Sequence, residues 1–148
     1  MAIALSEQNV REGRGGPFGA VIVKDGEVIA QSANRVVPDN DPTAHAEVAA
    51  IRLACKALNT FDLSGCIIYA SCEPCPMCLG AIYWARMDKI YYGNSKADAA
   101  DIGFDDAFIY DELNCAMDQR KIPLVTLLRD EAIGAFRLWE EMENKDHY

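Results

Sequence analysis

Two short segments, His45-Ala46-Glu47 and Pro74-Cys75-Pro76-Met77-Cys78, hold the residue types from which a hydrolytic zinc site is built. One imidazole and two thiols make three metal ligands, His45, Cys75 and Cys78. Tetrahedral zinc held by three protein groups keeps its fourth position for water, whereas a structural zinc is normally closed by four. Two thiolates neutralise Zn²⁺ formally, and His45 then binds as neutral imidazole. Glu47 lies two residues from the histidine and is not needed as a ligand, which leaves it to move protons as a general acid and base.

Other readings of the same residues are weaker. Cys72, three residues before Cys75, extends a Cys72–Cys75–Cys78 ladder, so a closed Cys₃His structural zinc is conceivable. Pro74 resets the backbone just before Cys75, leaving Cys72 on a strand end facing the core as a bystander. An iron–sulfur run would need a further Cys and then Pro, and Ile82-Tyr83 stand there instead. Glu47 has a plain alternative as a first-turn acid complementing a helix dipole. Glu73, just before a helix start, reads as electrostatic rather than catalytic, and His147 as a solvated residue.

These groups need elements that aim them. Cys75 and Cys78, three apart, share a face in the first turn of a helix opened by Pro76 and running to about Arg86. His45 and Glu47 are two apart, about 200° around a regular helix, so they converge only if His45 sits at the helix start. Asp41 or Thr43 is the expected N-cap, with Val48, Ile51, Cys55 and Leu58 as the buried stripe. Residues 1–13 read as a helix. Phe18–Lys24 and Glu27–Ala33 read as strands joined by Asp25-Gly26, a two-residue hairpin turn, and Val36–Asp41 as a loop. Further on, Cys66–Ser71, Lys89–Gly93 and Pro123–Leu128 are expected strands. Residues 105–113 read as a short helix and Asp130–Asn144 as a closing one. Strands alternating with helices after a hairpin imply a mixed sheet covered on both faces.

At 148 residues, with 51% apolar and 25% charged residues, the composition suits one soluble domain. The net charge of −9 is unevenly placed. From Ala97 to Gln119 there is no Lys or Arg, while Asp98, Asp101, Asp105, Asp106, Asp111, Glu112 and Asp118 fall there. That surface repels phosphate backbones and argues against a nucleic-acid partner. No stretch approaches a membrane span, and Ser6-Glu7-Gln8 ends the apolar start too early for a signal-peptide core. A reducing, cytoplasmic setting is therefore expected, where clustered cysteines bind metal rather than form disulfides. Cys55, Cys66 and Cys115 read as small buried apolar residues.

The His-x-Glu and Pro-Cys-x-x-Cys segments match the signature of zinc-dependent nucleobase deaminases, and the chain resembles the cytidine deaminase superfamily. Within it, the chain is similar to the bacterial guanine deaminase family along nearly its whole length. Gly15–Gly26, Asn40–Arg52, Ser71–Arg86, Gly103–Leu113 and the ending Asn144-Lys145-Asp146-His147-Tyr148 carry the likeness. The zinc motif points only to the superfamily; the GFDDAFIY segment and the terminal tyrosine are more specific. The amino-terminal helix looks shorter than usual for the family.

The resemblance implies a single α/β domain over 1–148, a three-layer αβα sandwich around a five-stranded mixed sheet. Residues 129–148 would form a helix and tail that cover the site. It implies a Zn²⁺-dependent homodimer, with the carboxyl-terminal segment open to exchange, converting guanine to xanthine and ammonia in purine catabolism. Asn34 matches a residue that hydrogen-bonds the purine, and the Ala46 N–H another contact to it. Phe18 and Trp84 match aromatics lining the pocket. Asp106 matches an acid that assists Glu47 near the leaving amine, and Tyr148 a terminal residue that covers the site. Other readings are a different amino-substituted ring such as an aminotriazine, a tRNA adenosine deaminase, or a non-catalytic zinc-stabilised module.

Overall fold

Asp25 and Gly26 both take positive φ, 51° and 83°, as a two-residue hairpin turn requires. They join Gly19–Lys24 (β1) to Glu27–Ala33 (β2) in antiparallel pairing. On its other side β1 pairs antiparallel with Cys66–Cys72 (β3), which runs parallel to Lys89–Asn94 (β4). The sheet order is β2-β1-β3-β4. These elements belong to a computed structural model that describes residues 1–147.

The sheet is mixed, but it has four strands among the described residues where five were expected. The segment expected as the fifth, Pro123–Leu128, joins no ladder and is exposed along its length, Val125 at 83% and Leu127 at 79%. Apolar, β-branched residues give a segment strand propensity. A strand forms only where a neighbouring edge offers its N–H and C=O groups.

Helix Ala2–Arg11 (α1) covers one face of the sheet, and Gly19 is what lets it approach. A Cβ on Gly19 would run into the Ala2 carbonyl and Leu5. The opposite face carries Ala20, Ile22 and Ile68 into the main core, which Leu63 joins from the turn before β3 and where helix Ala46–Leu58 (α3) packs. This gives αβα layering. The buried face of α3 takes in most of the expected stripe and extends beyond it. Ile51, Cys55 and Leu58 pack, partly buried, against the core and Val48 is partly buried, while Ala46, Glu47, Ala50 and Ala54 are the residues most fully enclosed. Alanines bring the helix axis close to the sheet, and that close approach draws Glu47 inward with them.

Val36–Asp39 forms a short helix (α2) where a loop was expected. Asp41 and Thr43 do not cap α3. Asp41 instead accepts from the Thr43 N–H and hydroxyl, at 2.8 and 2.7 Å, stiffening the turn before it. Helix Pro76–Trp84 (α4) follows β3. Helix Lys96–Asp101 (α5), not expected from the sequence, starts at a capping box in which Ser95 and Asp98 bond each other's backbone N–H.

The chain divides into two compact units, Met1–Ala107 and a second from Phe108 onward, which begins earlier than the tail singled out at 129. The later region contains helix Ala107–Asn114 (α6), a single 3₁₀ turn at Met117–Gln119 and helix Arg129–Glu141 (α7). None of these three has a buried residue. Lys145 Nζ donates to the Trp139 and Glu140 carbonyls at 3.1 and 2.8 Å, satisfying two carbonyls at the end of α7. Among the described residues, no helix is long and apolar enough to cross a membrane.

Candidate active site

Two helix starts carry the chemistry. His45 is the N-cap of α3, with extended backbone (φ −64°, ψ 157°), and Cys75 is the N-cap of α4 in nearly the same conformation (φ −65°, ψ 168°). Pro76 at the first helical position fixes the entry into α4 without losing an intrahelical hydrogen bond. With His45 at the boundary, its side chain leaves the helix path, and Glu47 in the first turn reaches the same space.

The ligand atoms of His45, Cys75 and Cys78 all lie within 4.8 Å of one another. His45 Nδ1 is 3.5 Å from the Cys75 sulfur and 3.5 Å from that of Cys78. A tetrahedral zinc with ordinary Zn–N and Zn–S lengths separates such ligand atoms by about 3.6 Å, so the donors already stand at coordination spacing. Cys72 is not part of this group. It is buried, and its sulfur points at the Ser95 carbonyl 3.6 Å away.

Glu47 is buried, 7% exposed, with Oε2 3.5 Å from the Cys78 sulfur. Burial pushes its carboxyl above the usual range, and the neighbouring Cys75 sulfur adds to the rise. The two thiols are strongly coupled. A hydrogen bond from Cys78 pulls Cys75 down to about 4, and the same contact pushes Cys78 up. His45 is raised, chiefly by its bond to Cys75. One sulfur thus holds negative charge while further ionisation of the cluster is resisted, the condition a divalent cation relieves. The donor set fits zinc, and the α3 and α4 N-termini favour its thiolates further.

Asp106 belongs to the same electrostatic neighbourhood. Its carboxyl is raised by partial burial and then by the charge of Cys75. Phe18 packs against the core and meets Phe104 edge-on, with ring centroids 5.0 Å apart. Asn34 is buried, its N–H donating to the Phe18 carbonyl at 2.9 Å and its Oδ1 accepting from the Val36 N–H at 3.2 Å. That bond orients the amide and leaves its NH₂ as the group on offer. Ala46, first in α3, has an N–H without an intrahelical acceptor.

Trp84 stands apart from the zinc ligands, at the last residue of α4, about 9 Å of helix axis beyond Cys78, and is 68% exposed. Tyr148 lies outside the described residues. The sequence reading gives Phe104 no role, although it lies in the GFDDAFIY segment that carries the family likeness.

Residues 1–94 match the model of the cytidine and deoxycytidylate deaminase zinc-binding region. The chain belongs to this deaminase family. It is 52% identical to guanine deaminase of Bacillus subtilis (strain 168) over 147 residues, covering 99% of this chain and 94% of that one. The solved structure of guanine deaminase from Bacillus subtilis superposes with a TM-score of 0.96, over 99% of this chain and 94% of that one. A solved guanine deaminase from Nitrosomonas europaea matches at 33% identity and a TM-score of 0.67, over 95% and 81% of the two chains. By contrast, the tRNA-specific adenosine deaminase of Agrobacterium fabrum is 51% identical over 89 residues, 59% of each chain. The likeness to the tRNA enzyme leaves a large part of this deaminase unmatched.

Proposed function

We propose that the protein is a zinc-dependent guanine deaminase, hydrolysing guanine to xanthine and ammonia in purine catabolism. One observation carries this reading: 52% identity to a guanine deaminase continues through 99% of the chain, well past residue 94 where the zinc-binding region ends. The zinc supplies, when bound, a Lewis acid that makes water nucleophilic at neutral pH. Glu47 takes a proton from the attacking water and delivers it to guanine N3 as C2 is attacked; it then takes the second proton from the hydroxyl now on C2, which becomes the carbonyl, and gives it to the departing amine. Its raised, buried carboxyl suits both directions of transfer. Asp106 assists at the leaving amine. Asn34 offers its amide to the purine and Ala46 its N–H, while Phe18 walls the ring.

The assembly we infer is a homodimer in which the carboxyl-terminal segment is exchanged and brings Tyr148 over the partner's site. Neither α6 nor α7 has a fully buried residue, and Phe136 and Leu138 are each 68% exposed. The sheet has its own uncovered ground, since Tyr69 and Tyr91 stack with centroids 5.1 Å apart yet remain exposed. A second copy supplies cover for both surfaces, and an open β4 edge gives Pro123–Leu128 of that copy a ladder to join. A small-molecule site with free thiol ligands fits the reducing cytoplasm.

Ammonia release from guanine, guanosine, adenine, cytosine, cytidine and ammeline tests the assignment. Guanine is expected to be the substrate turned over fastest. Preferential turnover of ammeline, or of adenosine in a folded tRNA, would overturn it. Deleting Tyr148 is expected to lower guanine turnover while leaving zinc content unchanged. Mixing that variant with Glu47→Gln then restores activity, because one site of the mixed dimer combines an intact Glu47 with an intact Tyr148. No recovery after subunit exchange would argue against the exchanged segment.

A further inference from the structure

The end of α1 is tied to the purine pocket by a single amide. Asn9 is 5% exposed, and its Nδ2 donates to the Gly16 carbonyl at 2.9 Å and to the Asn34 carbonyl at 3.1 Å. The two acceptors flank Phe18, whose own N–H also donates to Gly16 at 2.9 Å and whose carbonyl accepts from Asn34 at 2.9 Å. The first residue of β1 and the last of β2 face each other there, Gly19 opposite Ala33. Phe18 and Asn34 are therefore the residues at which both strands leave the sheet. Asn9 spends both protons of its amide holding those two exits together.

The surrounding loop is shaped around that amide. Gly15 has φ +154°, and a Cβ there would stand 3.3 Å from Asn34 Oδ1 and 3.4 Å from Asn9 Nδ2. The Arg14 N–H donates back to the Asn9 carbonyl at 3.0 Å, closing the chain over the helix end. The side chain of Asn34 is set by its bond to the Val36 N–H, and its main chain is set by Asn9.

We propose that Asn9 is a positioning residue for substrate recognition: without touching guanine, it fixes the backbone of Asn34 so that the Asn34 amide meets the purine edge. This rests on the reading of Asn34 as a purine contact. The physical argument is placement. A contact held by a bonded backbone is pre-organised, and a shift of a fraction of an ångström loses binding that the substrate and the transition state share. Loss of such shared binding raises KM and leaves kcat nearly unchanged.

The test uses the full-length, zinc-loaded protein with guanine as substrate, in four forms: wild type, Asn9→Ala, Asn34→Ala and the double variant. Asn9→Ala is expected to raise KM about tenfold with kcat within about threefold, at unchanged zinc content. In the Asn34→Ala background, where no amide remains to be placed, adding Asn9→Ala is expected to change KM by less than about threefold. Equal factors in the two backgrounds, or an unchanged KM in folded, zinc-loaded Asn9→Ala, would overturn the proposal. If Asn9→Ala does not fold, Asn9→Ser serves in its place, since one hydroxyl proton replaces only one of the two bonds. Asn34→Ala alone tests the underlying reading. If its KM for guanine equals that of wild type, Asn34 is not a purine contact and the role given to Asn9 falls with it.

Discussion

Glu47→Gln is expected to abolish guanine turnover, lowering kcat by about 10²–10⁴-fold, while zinc remains bound. The ligand atoms belong to His45, Cys75 and Cys78, and Glu47 is not among them. Its Oε2 lies 3.5 Å from the Cys78 sulfur and its side chain is buried in the first turn of α3. Glutamine occupies the same volume, so the Ala46–Ala50–Ala54 packing beside it need not change. What glutamine cannot do is take a proton from water and return it. The loss should therefore fall on kcat with KM little altered. Elemental analysis for zinc alongside ammonia release separates this outcome from unfolding. A zinc-loaded Glu47→Gln enzyme within about tenfold of wild type would remove Glu47 from the proton path.

Spacing made the metal site legible. Two cysteines three apart after a proline specify a helix start, and a histidine two residues from an acid is useful only at another. What spacing could not give was which residues of α3 are enclosed most completely. Ile51, Cys55 and Leu58 do pack on the core, but Ala46, Ala50 and Ala54 lie deepest, because only a small side chain allows so close an approach. The box that starts α5 was written as Ser95-x-x-Asp98, a usable signal with an aspartate where Glu or Gln is the commoner partner. Pro123–Leu128 reads as a strand because its residues suit one. Strand formation depends on an edge to pair with, which the segment itself does not encode. Asn9 was invisible for a related reason. Its partners lie seven and twenty-five residues away, and nothing local marks an asparagine in an amphipathic helix as the tie between two strand ends.

Cys78→Ser and Cys72→Ser are expected to part company, and the difference decides what kind of zinc site this is. Cys78 is fully buried, with its sulfur 3.5 Å from His45 Nδ1. Loss of that thiolate removes one of three ligands and half of the formal charge that offsets Zn²⁺. Removing even an outer-shell partner costs about 10–100-fold in metal affinity or activity, so losing a ligand should exceed that and abolish guanine turnover. Because metal binding contributes to stability, the Cys78→Ser protein should no longer gain thermal stability from added zinc. For the wild type that gain is about 4 kcal/mol when free metal is a thousandfold above its dissociation constant. Acid should strip zinc from the wild type as well, since the sulfurs and the imidazole bind only deprotonated. Cys72→Ser should retain zinc, stability and turnover. Its sulfur faces the Ser95 carbonyl at 3.6 Å, and serine can donate to the same acceptor. If Cys72→Ser instead lost zinc in parallel with Cys78→Ser, Cys72 would be a fourth ligand. The metal would then be closed to water, and a hydrolytic role for Glu47 would have no nucleophile to serve. Retained zinc in Cys72→Ser would leave His45, Cys75 and Cys78 as the residues that hold the metal, with the buried Glu47 carboxyl 3.5 Å from the Cys78 sulfur and not needed as a ligand.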